Sequence, residues 1–189
     1  MIRYLKEDDV EYLLRFYPSS NYSNPFLKAA EMIADRFFRC PSMDLIRGLA
    51  SLNSTVYKYR WNHSSEILKF INFHNGKLGL GFHFSEIPFL FTQRASYVDK
   101  EEYMLSDTLI TAWVSFASIG NPKIPISHIT QLANAQWPSY TTTGANIVFQ
   151  TPVEDIHMEN ENSRLDAICK LWSQLESRRP FIRDFYKIQ

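Results

Sequence analysis

Hydrophobic positions recur at helical spacing through the first fifty residues. Over residues 6–16, Val10, Leu13, Leu14 and then Tyr17 share one face behind an acidic first turn, which predicts a helix that Pro18 stops. A second helix is predicted over 25–40, carrying Phe26, Ala29, Ala30, Ile33, Phe37 and Phe38, with Pro41 as its break. A third, over 42–52, places Met43, Ile46, Leu49 and Ala50 together. The apolar stripes of these helices are expected to be core.

The period changes at 55–61, where Tyr57, Tyr59 and Trp61 alternate with Lys58 and Arg60 as in a half-covered strand. A long helix follows over 101–119, with Met104, Leu105, Leu109, Ala112, Trp113 and Phe116 on its apolar side and Gly120 as its stop. Residues 135–140 read as irregular. Residues 145–150 and 153–158 read as two short strands around Thr151 and Pro152, which Pro152 would keep at a sheet edge. The last predicted helix spans 163–178 and carries Leu165, Ile168, Cys169, Trp172 and Leu175. No repeat or linker interrupts the chain, so one domain over 1–189 is expected. Helices with one core strand and a late hairpin make an α/β arrangement whose sheet is incomplete.

Charge changes this picture little. Lys and Arg number 20 against 20 Asp and Glu, which leaves no electrostatic footprint for nucleic acid or an anionic membrane. No run approaches the roughly 20 apolar residues of a membrane span, and the first residues lack the apolar core of a signal peptide. Asn21, Asn53 and Asn62 each open an Asn-x-Ser/Thr acceptor pattern. Cys40 and Cys169 stand far apart, and spacing alone leaves them open as separate thiols or as a bridge.

The candidate chemistry centres on residues 79–91. Gly79 and Gly81 allow a sharp turn, His83 follows at its tip, and Glu86 opens an apolar run that can pack the loop down. A histidine here has a pKa suited to general base catalysis, and equally suits an ordinary loop position. Glu86 reads as a carboxylate that braces the loop rather than as the acid that orients His83, because triad acids usually come from a separate strand end. His63, His74 and His83, even with Asp99, match no short metal-ligand spacing, and no metal or other cofactor is expected. Neither a Gly-x-Ser-x-Gly elbow nor a glycine-rich phosphate loop occurs in the sequence.

Several blocks then fall in one order. They are residues 13–18 ending in Tyr17-Pro18, Asp35 through Cys40-Pro41, the strand 56–61, the His83 to Phe91 block, Trp113 through Gly120-Asn121-Pro122, Trp137-Pro138 with Tyr140, and Cys169 with Trp172. In that order they resemble the C-terminal part of type-B carboxylesterases, the α/β-hydrolase family that includes cholinesterases and fungal lipases. The resemblance implies that His83 is a catalytic histidine, that Gly81 and Glu86 are structural beside it, and that Cys40 pairs with Cys169. It departs from the family's pattern at Thr92, where glycine is frequent, and it offers no counterpart for the family's nucleophile serine or acid. The implied activity is ester hydrolysis of a small-molecule or lipid substrate in a longer parent, with no turnover by this chain alone. Two other readings stay open: a non-catalytic interaction protein, self-associating through the last helix, and a subunit complementing a separate chain. Family members are often secreted, but the compartment of this chain is left open.

Overall fold

The computed structural model describes residues 6–64, 81–91, 99–125, 136–160 and 163–177. They fall into two compact units, one drawn from Met1–Ser54 and Asn162–Gln189 and the other from Thr55–Glu161.

The first unit is helical. Helix α1 (Glu7–Arg15) begins with Glu7, Asp8 and Asp9, whose charges favour the positive end of the helix dipole. Helix α2 (Pro25–Ala34) is capped by Asn24, whose Oδ1 accepts from Leu27 N at 2.9 Å, with proline in the first turn. Contrary to the expected break at Pro41, the chain continues through a π-helical turn (Asp35–Arg39) directly into helix α3 (Cys40–Ser51). Cys40 N–H donates to the Asp35 carbonyl five residues back, and Pro41 falls in the first turn of α3, where a ring without an N–H is tolerated. Helix α7 (Ser163–Ser177) closes the unit.

The apolar stripe expected for α2 is not the buried one. Met32, Cys40, Met43 and Ile46 are buried, whereas Phe26, Ile33, Phe37 and Phe38 are exposed, as are Leu45 and Leu52 on and just beyond α3. Within α2 the buried side is that of Met32, not of Phe26 and Ile33; for Phe37 and Phe38 the inserted residue of the π turn changes which side chains share a face, a shift that a constant period of 3.6 cannot anticipate. The core gathers Leu13, Tyr17, Met32 and Cys40 against Ile168, Cys169, Leu171, Trp172 and Leu175. A buried polar chain runs through it. Trp172 Nε1 donates to Tyr17 Oη at 3.1 Å, Tyr17 Oη donates to Asp35 Oδ2 at 2.9 Å, and Arg39 Nη1 donates to Asp35 Oδ1 at 2.7 Å. Burial pushes the Tyr17 phenol well up, so it remains the neutral donor this chain requires. Cys40 and Cys169 form a disulfide, Cα to Cα 5.1 Å, as the resemblance implies.

The second unit is built on a three-stranded sheet in the order β1 (Tyr59–Trp61), β2 (Ala145–Phe149), β3 (His157–Asn160). The antiparallel pair β2–β3 forms in the expected region, but β2 is the middle strand, not an edge: it also pairs in parallel with β1, Tyr59 opposite Ile147 and Trp61 opposite Phe149. All five β2 residues are buried. Pro152 lies beyond the strand, in the turn before the short 3-10 segment Val153–Asp155, so its missing N–H removes no ladder bond.

Helix α4 (Ile87–Phe91) and helix α5 (Lys100–Ile119) complete the core, with a single helical turn α6 (Tyr140–Thr143) leading into β2. Asp99 caps α5, its Oδ1 accepting from Glu102 N at 2.8 Å, and Gly120 ends it in the left-handed conformation at φ 69°. Leu105, Leu109 and Ala112 pack with Phe89, Trp137, Ile147 and Phe149. Around them Tyr57, Tyr59, Trp113 and Trp137 meet edge to face or tilted, with centroids 4.9–6.3 Å apart. Among the described residues no helix is long and apolar enough to cross a membrane.

Candidate active site

β1 and β2 run in parallel, so their carboxyl ends lie on one edge of the sheet, the edge where α/β folds place their chemistry. His63 follows β1 there and Thr151 follows β2.

Gly81 returns the chain to that edge. A Cβ at this position would lie 2.8 Å from Trp61 Cδ1, 2.9 Å from the Trp61 carbonyl oxygen and 3.3 Å from that of His63. The loop therefore rests directly on the end of β1, and only glycine leaves the room. Gly81→Ala is expected to push the loop off the strand and destabilise this unit by about 1–3 kcal/mol, since the nearest obstacle includes backbone. A shift of the urea midpoint together with faster amide exchange in residues 82–91 checks it. An unchanged midpoint with unchanged exchange would mean the close approach is not structural.

The turn beyond Gly81 is internally tied. Ser85 is fully buried; its N–H donates to the Phe82 carbonyl at 2.9 Å and its Oγ accepts from Phe82 N at 3.0 Å. Ile87 N and Phe89 N donate to the carbonyls of Phe84 and Glu86, which carries the turn into α4. His83 sits exposed at the tip, its ring 4.0 Å from that of Phe84. Phe84 has φ 72°, a left-handed backbone that a bulky residue adopts only when its surroundings impose it.

Glu86 lies within 3.4 Å of Tyr59 Oη, which donates to its Oε1. Burial, reinforced by the Glu86 charge, pushes the Tyr59 phenol up to about 12, so the hydroxyl keeps its proton and can donate at neutral pH. The carboxylate is thus tied to β1. Gly79 and Thr92 lie outside the described residues, as does His74.

Sequence reasoning passed over one constellation beside this loop. His63, 11% exposed, has Nε2 3.0 Å from Glu102 Oε1 and Nδ1 2.9 Å from Thr151 Oγ1. A carboxylate can only accept, so Nε2 donates to Glu102, and in the neutral tautomer that this selects, Nδ1 accepts from the Thr151 hydroxyl. Glu102, in the first turn of α5, is 2% exposed. A buried acid on a helix would have marked this pair, but burial is not visible in the sequence, where Glu102 is one more first-turn carboxylate.

The acceptor asparagines are placed differently from one another. Asn21 and Asn53 are exposed, whereas Asn62 is half-buried and its Nδ2, the atom a glycan would use, donates to Gln150 Oε1 at 2.8 Å. His83, His63 and Asp99 do not come together with other ligating groups in a metal cluster among the described residues.

Solved esterase structures share this fold. Aspergillus niger EstA matches with a TM-score of 0.69 and 19% identity, over 92% of this chain and 33% of that one. An esterase from Clostridium hathewayi, described as hydrolysing aliphatic aromatic polyesters, matches with a TM-score of 0.51 and 17% identity, over 91% of this chain and 33% of that one. The architecture is that of the α/β-hydrolase esterases. Residues 6–167 match the Carboxylesterase family, and the chain belongs to it. Mouse cholinesterase is 27% identical over 117 residues, 60% of this chain and 18% of the mouse protein. The chain thus spans a third or less of the length of these relatives.

Proposed function

We propose that this chain supplies the catalytic histidine, His83, to a serine carboxylic ester hydrolase, and that it does not turn over ester by itself. The observation that carries the proposal is the position of His83. It stands exposed at the tip of a loop docked by Gly81 on the carboxyl end of a parallel strand, in a chain that belongs to the carboxylesterase family.

An imidazole there can take the proton of a serine hydroxyl as the oxygen attacks the ester carbonyl. It returns that proton to the leaving alcohol, and then activates water to release the acid from the acyl-enzyme. In this scheme the serine comes from another polypeptide segment, because no Gly-x-Ser-x-Gly elbow exists in these 189 residues, and the acid that holds the imidazole's tautomer, which in this fold falls between serine and histidine in chain order, is assigned to that segment as well. Glu86, held by Tyr59, serves as a brace for the loop in this scheme.

Hydrolysis of 4-nitrophenyl butyrate tests the reading. The purified chain is expected to release nitrophenol no faster than buffer, and co-expression with a family segment that carries the serine elbow and acid is expected to yield turnover. Turnover by the purified chain alone would overturn the second half of the proposal. A stable assembled pair with no hydrolysis would overturn the first.

A further inference from the structure

We infer that His63 is a positioning residue for His83, acting through the loop and not on substrate; this rests on the role proposed for His83. Three observations converge on it. The two ring nitrogens of His63 bridge elements that lie far apart in sequence, Glu102 on α5 at 3.0 Å and Thr151 after β2 at 2.9 Å. Its backbone carbonyl forms part of the surface against which Gly81 presses at the start of the His83 loop. Its ring meets the Phe89 ring, at the other end of that loop, edge to face at 5.4 Å.

His63 therefore touches both ends of the segment that presents His83. The far end is fixed again by Ser106 Oγ, which donates to the Phe89 carbonyl at 2.6 Å from the same helix that carries Glu102. Between these anchors lies Phe84 in its left-handed conformation, next to His83. A strained residue persists only where the ends of its segment are held, so loosening the anchors should let it relax and carry the imidazole away. The α5 turn that supplies Glu102 is itself seated, since Glu101 Oε2 accepts from Val153 N at 3.2 Å, close to Thr151.

Hydroxyl, imidazole and carboxylate in a row also form the outline of a nucleophilic triad. Thr151 is a poor candidate for the nucleophile, because the next residue is Pro152 and offers no backbone N–H to a developing oxyanion. Holding β1, β2 and α5 in register at the carboxyl edge is the use the geometry supports.

The test uses the full 189-residue chain with His63→Phe, which keeps an aromatic ring beside Trp61 and Phe89 but loses both hydrogen bonds. Amide exchange at Ser85, Ile87 and Phe89 is expected to quicken roughly tenfold or more, while exchange in α7 stays unchanged. The His83 ring proton resonances, which feel the Phe84 ring 4.0 Å away, are expected to move toward free-histidine positions. His63→Gln, which can still donate to Glu102, should recover part of both changes. If His63→Phe does not fold, Thr151→Val removes one bond only and is expected to give a smaller shift in the same direction. Unaltered loop exchange and unaltered His83 resonances in a folded variant would overturn the inference. These readouts need no activity, so they remain decisive if the role of His83 itself fails in the hydrolysis assay.

Discussion

Reduction of the Cys40–Cys169 bridge is expected to destabilise the helical unit by about 5 kcal/mol, from the loop-closure entropy of a cross-link between residues 129 apart in sequence. The bridge matters because this unit is assembled from two distant pieces of chain. One piece carries α1 to α3 and the other is α7, and the intervening residues belong to the other unit. Non-covalent links between the pieces are present: Arg164 with Glu31, Arg47 with Asp166, Arg36 with Glu176, and the Trp172 to Tyr17 bond. The first two pairs are substantially exposed, so each contributes about 0–1 kcal/mol. Against a usual domain stability of about 5–15 kcal/mol, loss of the cross-link is therefore the dominant effect. Urea unfolding of Cys40→Ser against the oxidised wild-type chain checks it, followed through the Trp172 environment. A stability difference below about 1 kcal/mol would mean that helix packing alone holds the two pieces together. The bridge also ties the stability of the fold to an oxidising milieu.

Much of this architecture was legible from periodicity. The long helix α5, its Gly120 end and the change of period at Tyr57 follow from local rules, since a glycine stop and alternation are written within a few residues, whereas the Asp99 cap, two residues before the expected start, emerged only in the structure. Other features depend on partners remote in sequence. Nothing local marks Asp35–Arg39 as a π turn, so Pro41 looks like a break and Phe37 and Phe38 look like core, although both are exposed. The central place of β2 is fixed by its pairing with β1, nearly ninety residues earlier in the chain, and a proline three residues after Phe149 says nothing about that pairing.

The site divides in the same way. The His83 loop is readable because its glycine, histidine and glutamate are close neighbours in a block that resembles a known family. The His63 network is unreadable because its partners lie 39 and 88 residues away, and each alone is an ordinary polar residue.

In an assembled hydrolase, His83→Ala is expected to lower kcat by on the order of 10^4-fold or more while leaving KM within a few-fold. The split follows from what the imidazole does. It accepts a proton only as the serine oxygen attacks, so its contribution is made in the transition state and is largely absent from substrate binding. A loss of that size corresponds to about 5.4 kcal/mol of transition-state stabilisation, well beyond what displacement of the loop alone would produce. Glu86→Gln supplies the contrast. Its contact is the 3.4 Å bond from Tyr59, which an amide oxygen can still accept, so a drop of about tenfold or less in kcat is expected. Added imidazole separates chemistry from architecture. If His83 is the general base, imidazole should restore part of the activity of His83→Ala in proportion to its concentration, since the vacated space can admit the ring and the serine remains in place. Retention of more than about a tenth of wild-type kcat in His83→Ala would remove His83 from the mechanism. A large loss with no imidazole rescue and a disordered loop would instead assign it a structural role.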